Sequence, residues 1–301
     1  MKHHLFIAST IILIAISCSK KDAVESGPSE LFYSVFVTAD ETKTINQGMK
    51  TSWAENDRIA VFHAISGTED YVFDKAFVVE DVSTGKFSGT LQEPLDENKE
   101  YDWYVIYPYD SNGTPSSSNA WSIGGATTGQ KQNGNNSMAH LSGQNYPLVG
   151  RSKSIPAEEY PHVIMKNVSS LVEFTVTNDL GKSITINEIS IMSEEYIAGY
   201  FRISYASDQL SFSPLGDRYI SNTAKLTVTN GVAIGPGESA NYYLGIVPFI
   251  AEAGTELAVN ISVSDDNSTS DQWLFGTEFE DDVCFESGKM TTFEIHYNHM
   301  F

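Results

Sequence analysis

Hydrophobic residues recur at every second position, in short runs spread along most of this chain. Leu257, Val259, Ile261 and Val263 alternate with Ala258, Asn260 and Ser262. Val172, Phe174 and Val176 alternate with Leu171, Glu173 and Thr175, and Phe293, Ile295 and Tyr297 alternate with Glu294 and His296. Successive side chains of an extended strand point to opposite faces, so each run is a strand with one buried face. Similar runs lie at 32–38, 58–63, 101–107, 183–191, 225–229 and 242–247, separated by clusters of Gly, Asn, Asp, Ser and Pro. No segment sustains a helical period, apart from a turn or two near 137–142. Short strands with turn signals about every ten residues predict an all-β protein of antiparallel β-sandwiches.

With 301 residues, the chain is longer than one core commonly organises, so two domains are expected. The polar stretch 151–161, with Pro156 and Pro161, places their boundary near residue 162. A hydrophobic content of 41% is ample for packed cores. The formal charge is −21, a surface that repels phosphate backbones and excludes nucleic acid as a natural partner.

The N-terminus has the pattern of a bacterial lipoprotein signal peptide. Lys2, His3 and His4 precede a weakly polar to apolar run from Leu5 to Ile16, and small Ser17 sits just before Cys18. A run of this length is too short to span a bilayer, which takes ~20 apolar residues. Ala15 stands where such signals usually carry Leu, and an ordinary secretory signal cleaved near Ser17 is the alternative. In either case the chain is exported. Residues 1–17 are then the signal, Cys18 the lipidated N-terminus, and the aperiodic stretch 18–30, with Gly27 and Pro28, a flexible tether. Residues 31–161 and 162–301 are the two expected β-domains. Once Cys18 carries lipid, Cys284 is left without a disulfide partner, and its apolar neighbours Val283 and Phe285 suggest a buried core thiol.

Catalytic and cofactor motifs are missing from the pattern. Gly235-Pro236-Gly237 leads into a strand instead of a helix, so it reads as a turn and not as a phosphate-binding loop. His63, His140, His162, His296 and His299 show no metal-ligand spacing, and there is no Gly-x-Ser-x-Gly elbow. The acidic loop 264–271, with Asp265, Asp266 and Asp271, lacks the Gly and Glu of a calcium-binding loop, so it reads as a solvated hairpin tip. The expectation is a protein that is not an enzyme and needs no cofactor.

Tyr101, Trp103, Tyr107 and Tyr109 are spaced by even numbers of residues and would line one strand face. Exposed, such a row could stack on sugars; with Tyr104 and Ile106 making the other face apolar as well, core packing is the favoured reading. Trp121, in a loop-like stretch rich in Ser, Gly and Asn, is the better candidate for an exposed aromatic contact, with Trp103 second.

Several segments together resemble the fimbrillin-like lipoproteins of Bacteroidales, the subunits of the type V pilus. They are Thr51-Ser52-Trp53 followed by 56–62, Phe87-Ser88-Gly89-Thr90-Leu91, 104–109, 168–174, 197–201 and the closing 288–293. Their order and spacing cover most of the chain beyond the tether. The resemblance implies two transthyretin-like β-sandwich domains in tandem, an outer-membrane lipid anchor, and assembly with other pilin subunits by β-strand addition. On this reading the first strand, around 31–38, completes the N-terminal sheet until cleavage in the next loop frees it.

Polymerising members are typically cut there after a basic residue, often Arg. Between Cys18 and Arg58, Lys43 and Lys50 are the candidates in that loop, and there is no Arg. The chain also stops at Phe301, soon after its last apolar strand, leaving little to donate. Both features point to a tip, anchor or accessory subunit or adhesin. The alternative is a glycan-binding surface lipoprotein of a polysaccharide-uptake system, using Trp121 or Trp103.

Overall fold

A computed structural model describes residues 32–39, 53–68, 70–109, 115–116, 120–123, 129–141, 146–206, 209–214, 220–265 and 270–298. These residues form 23 strands and no helix, as the period-two pattern requires. Of the stretch near 137–142, the described residues 137–141 hold one turn, closed by the Leu141 amide on the Met138 carbonyl, and no helical segment.

The first part of the chain runs through β1 (Phe32–Ala39), β2 (Arg58–Ile65), β3 (Val72–Asp81), β4 (Lys86–Thr90) and β5 (Glu100–Tyr107). Three short strands follow, β6 (Pro115–Ser116), β7 (Ala120–Ile123) and β8 (Gln130–Asn133), and then β9 (Leu148–Pro156) and β10 (His162–Asn167). Seven of these strands, in the order β1-β10-β9-β5-β2-β3-β4, close into a barrel because β1 also pairs with β4. Period-two alternation gave no sign of this closure: one sheet curls until its two margins meet, which removes its edges altogether. In β2 and β5 six consecutive residues are buried. Ile59, Val61, Trp103 and Val105 pack in one cluster, while Ala60, Phe62, Tyr104 and Ile106 pack in another on the opposite face.

The remaining strands are β11 (Ser170–Asn178), β12 (Ile184–Met192), β13 (Ala198–Gly199), β14 (Phe201–Ala206), β15 (Gln209–Pro214), β16 (Ile220–Ser221) and β17 (Thr223–Thr229). After them come β18 (Ser239–Ile246), β19 (Phe249–Ala251), β20 (Glu256–Asp265), β21 (Ser270–Glu278), β22 (Val283–Phe285) and β23 (Met290–Tyr297). A three-stranded sheet, β18-β11-β23, and a five-stranded sheet, β21-β20-β12-β17-β8, share one apolar core. Val172, Phe174 and Val176 from the first meet Leu257, Val259, Ile261 and Val263 from the second, all fully buried. Each such side chain contributes about 1.5–3 kcal/mol relative to exposure.

Three pairings are parallel, β1–β10, β11–β23 and β17–β8, where a purely antiparallel arrangement was expected. Strand pairing also crosses the sequence. β10 belongs to the closed sheet, while β8, far upstream of residue 162, is the outermost strand of the five-stranded one. Cys284 is exposed, which corrects the expected core thiol. On β22 its neighbours Val283 and Phe285 point to the other face, and it lies opposite Ile250, itself 56% exposed.

Candidate assembly site

β1, the first of the described strands, is held by both of its margins. Its register runs Phe36–His162 through Ala39–Met165 alongside β10, and Phe32–Thr90 through Phe36–Lys86 against β4. Alternation sends Tyr33, Val35 and Val37 into the barrel, each fully buried, and leaves Phe32 56% exposed. Tyr33 stacks on Trp103, with centroids 4.8 Å apart and planes 9° from parallel, and its hydroxyl donates to the Glu159 carbonyl. Burial pushes the Tyr33 phenol above its ordinary pKa, so it stays a donor. Phe36 stacks on His162 at 4.8 Å.

The far end of β1 is fixed by backbone. The Val37 amide donates to the Gly85 carbonyl at 2.8 Å, and Trp53 Nε1 donates to the Val37 carbonyl at 3.2 Å. Gly85 has φ +67°, and a Cβ there would stand 2.1 Å from the Val37 oxygen, so only glycine permits this approach. Removing β1 would leave a slot between β10 and β4, with unpaired backbone on both sides and the Trp103 face uncovered. Such a slot can pair with an extended segment. The β1–β10 side is a parallel ladder, the weaker kind per residue.

Elsewhere the strand margins differ in how they are closed. β18 ends the three-stranded sheet, yet its outer backbone is satisfied by side chains of the 130–140 segment. Gln130 donates to the Gly245 carbonyl at 2.7 Å and accepts from the Gly245 amide at 2.9 Å. Gln132 does the same two residues along, with the Asn241 carbonyl and the Tyr243 amide. A His140 ring nitrogen lies 2.9 Å from the Tyr243 carbonyl oxygen, and the Asn241 amide donates to Asn136 Oδ1 at 2.7 Å. This clamp was missed from sequence because a polar Gln-x-Gln pair carries no hydrophobic signal.

Cys18, Lys43 and Lys50 lie outside the described residues. Trp103 is fully buried beneath Tyr33, which removes it as an exposed contact and bears out the core reading of that row. Tyr109 departs from the row and packs with Phe62 and Tyr104 on the opposite face. Trp121 is part of a strand, opposite Ile203 of β14, and not of a loop. His63 is buried against Asp74, and His296 lies at the surface beside Asp179, so both imidazoles have partners. Gly235 to Gly237 form the expected turn, closed by the Glu238 amide on the Gly235 carbonyl. Among the described residues no group of His, Cys, Asp and Glu is arranged to hold a metal.

No protein-family model matches the chain, and no curated protein matches it. Among solved structures, a "putative cell adhesion protein" of Bacteroides ovatus aligns with a TM-score of 0.55 at 11% identity, over 90% of this chain and 93% of that one. One of Bacteroides fragilis aligns with a TM-score of 0.49 at 12% identity, over 88% and 89%. The fimbrial anchor protein Mfa2 of Porphyromonas gingivalis aligns with a TM-score of 0.37 at 13% identity, over 82% of each chain. Identities this low speak to fold alone, and only the first alignment is close enough to use. This chain therefore shares its overall fold with the Bacteroides ovatus protein.

Proposed function

We propose that the protein is a surface-displayed fimbrial or adhesin subunit, lipid-anchored to the outer membrane through Cys18, whose activity is binding and assembly rather than catalysis. The observation that carries this reading is the placement of β1. The first strand fills a slot in an otherwise continuous sheet, and both its margins would become pairing edges on its release. The fold shared with a protein assigned to cell adhesion supports it, as does the sequence resemblance to fimbrillin-like lipoproteins. The two bodies would then be tandem transthyretin-like domains. The role would be tip, anchor or accessory, since no Arg precedes Arg58 in the loop where polymerising members are cut.

A specific protease site placed between Lys43 and Lys50 tests this. After cleavage, a labelled synthetic copy of residues 32–39 in excess should replace β1 and remain bound through gel filtration. Cleaved protein that never takes up the peptide, together with absence of the chain from pili purified from its own cell, would overturn the reading.

A further inference from the structure

The two sheets behind Phe174 have a second margin, opposite the glutamine clamp. There β23 ends the three-stranded sheet and β21 the five-stranded one, and among the described residues no strand pairs with the outer side of either. One strand further in, Val259, Ile261, Val263 and Phe174 are fully buried. At the margin itself Trp273, Phe275 and Phe293 are half-buried. Trp273 lies 4.7 Å from Phe275 and 5.4 Å from Tyr297, so partly wetted aromatic rings stand between two strand margins that no described strand covers.

Tyr297 also reaches Asp271, which puts the end of β23 beside the start of β21. The end of β21 and the start of β23 therefore share the other end of the margin. Exposed Glu278, Glu280, Asp281, Asp282 and Glu286 collect there, with Lys289 ion-paired to Glu286 at 2.7 Å.

We propose that the β21–β23 margin accepts an extended segment of a different protein, alternating apolar and small polar side chains and flanked by Lys or Arg. Its backbone would extend a sheet, its apolar side chains would cover Trp273, Phe275 and Phe293, and its cations would meet the acidic corner. A second copy of this chain does not fit, because two surfaces of formal charge −21 repel. The site is independent of β1 and its exchange.

The test mixes the full chain with three synthetic peptides of eight alternating Val and Thr residues, the length of β23. One is flanked by two lysines at each end, one by two glutamates at each end, and one is the lysine peptide N-methylated at alternate residues. The lysine peptide should bind and slow amide hydrogen exchange in 270–278 or 290–297 while leaving 239–246 unchanged. The glutamate peptide should bind at least about tenfold more weakly, and the methylated one not measurably. The surface variant Glu280→Lys with Asp281→Lys leaves Glu278, Asp282 and Glu286 against an equal number of lysines, so it should bring the two charged peptides close to equal binding. No binding, equal binding of both charged peptides by the unaltered chain, full binding of the methylated peptide, or protection confined to 32–39 and 86–90 would each overturn the proposal. Because the readout lies at residues 270–297, its failure is distinct from failure of β1 exchange.

Discussion

Gln132 stands where a neighbouring strand's backbone would stand for Tyr243: its Oε1 accepts from the Tyr243 amide at 2.9 Å, and its Nε2 donates to the adjacent Asn241 carbonyl at 3.1 Å. Gln130 repeats the arrangement on Gly245, one pleat away. A primary amide has the same donor and acceptor pair as a peptide group, so alternate glutamines on β8 can continue a ladder sideways. The backbone of β8 meanwhile pairs with β17, so one short polar strand ties the two sheets together.

Replacing Gln130 or Gln132 with Leu removes that amide's two bonds to β18 and leaves buried backbone groups short of partners. Each single change should lower stability by about 1–3 kcal/mol in urea unfolding. The double variant should also show faster amide hydrogen exchange at 239–246, because Gln130 and Gln132 no longer hold the Gly245 and Tyr243 amides. Variants of unchanged stability and unchanged exchange at 239–246 would show that the clamp neither stabilises nor shields.

Gly85→Ala should loosen β1 in particular. The new methyl carbon would sit 2.1 Å from the Val37 carbonyl oxygen, at a residue with φ +67°. A loss of about 2 kcal/mol is expected, together with faster hydrogen exchange at 34–38 than elsewhere in the barrel. Gly67→Ala is the control, since Gly67 has φ +81° but open space around it. That variant should lose only the backbone term, about 1 kcal/mol, and leave β1 exchange unchanged.

Alternation made most strands legible because it reports which side of a strand is buried. Leu257 to Val263 and Val172 to Val176 follow it residue by residue. It does not say whether the two ends of a sheet meet, so closure through β1, β4 and β10 was invisible. The same rule, applied to Val283, Cys284 and Phe285, would have turned the thiol outward; the apolar neighbours misled because they lie on the other face of β22. The clamp, and the parallel entry of β8, rest on hydrogen bonds between segments about a hundred residues apart, which no local pattern encodes.

Stability should fall on the alkaline side for a stated set of phenols. Burial holds Tyr33, Tyr107, Tyr146 and Tyr242 above the ordinary value of 10.0, and burial with the nearby Asp271 carboxylate pushes Tyr297 up to about 12. A phenol whose folded pKa is raised binds its proton more tightly in the native state, so its contribution is complete below pH 10 and is lost as pH rises above that. The urea midpoint should show no effect of these groups below pH 10 and then drop, with tyrosinate absorbance rising as the chain unfolds. Tyr33→Phe, which removes one such group, should give a shallower fall above pH 10. An equally steep fall would mean that Tyr33 is not among the groups responsible.

His63 and Asp74 form a buried pair at the barrel wall, 3% and 2% exposed, with Nδ1 and Oδ2 2.5 Å apart. Asp74 occupies an irregularity in the β2–β3 register, and its other oxygen accepts from the Gln92 amide at 2.8 Å. His63 packs its ring near Tyr101 and Trp103, 5.6 and 5.3 Å away. Removing one partner of such a pair leaves the other polar group buried without its match, so His63→Leu and Asp74→Leu should each cost about 3–5 kcal/mol. The double Leu variant should cost less than the sum by about 1–3 kcal/mol, because neither polar group is then stranded. Asp74→Asn keeps an acceptor for Gln92 and lets the imidazole change tautomer to accept from the amide, so its loss should stay within about 1 kcal/mol. Strict additivity of the two Leu changes in urea unfolding would show that the residues do not act as a pair.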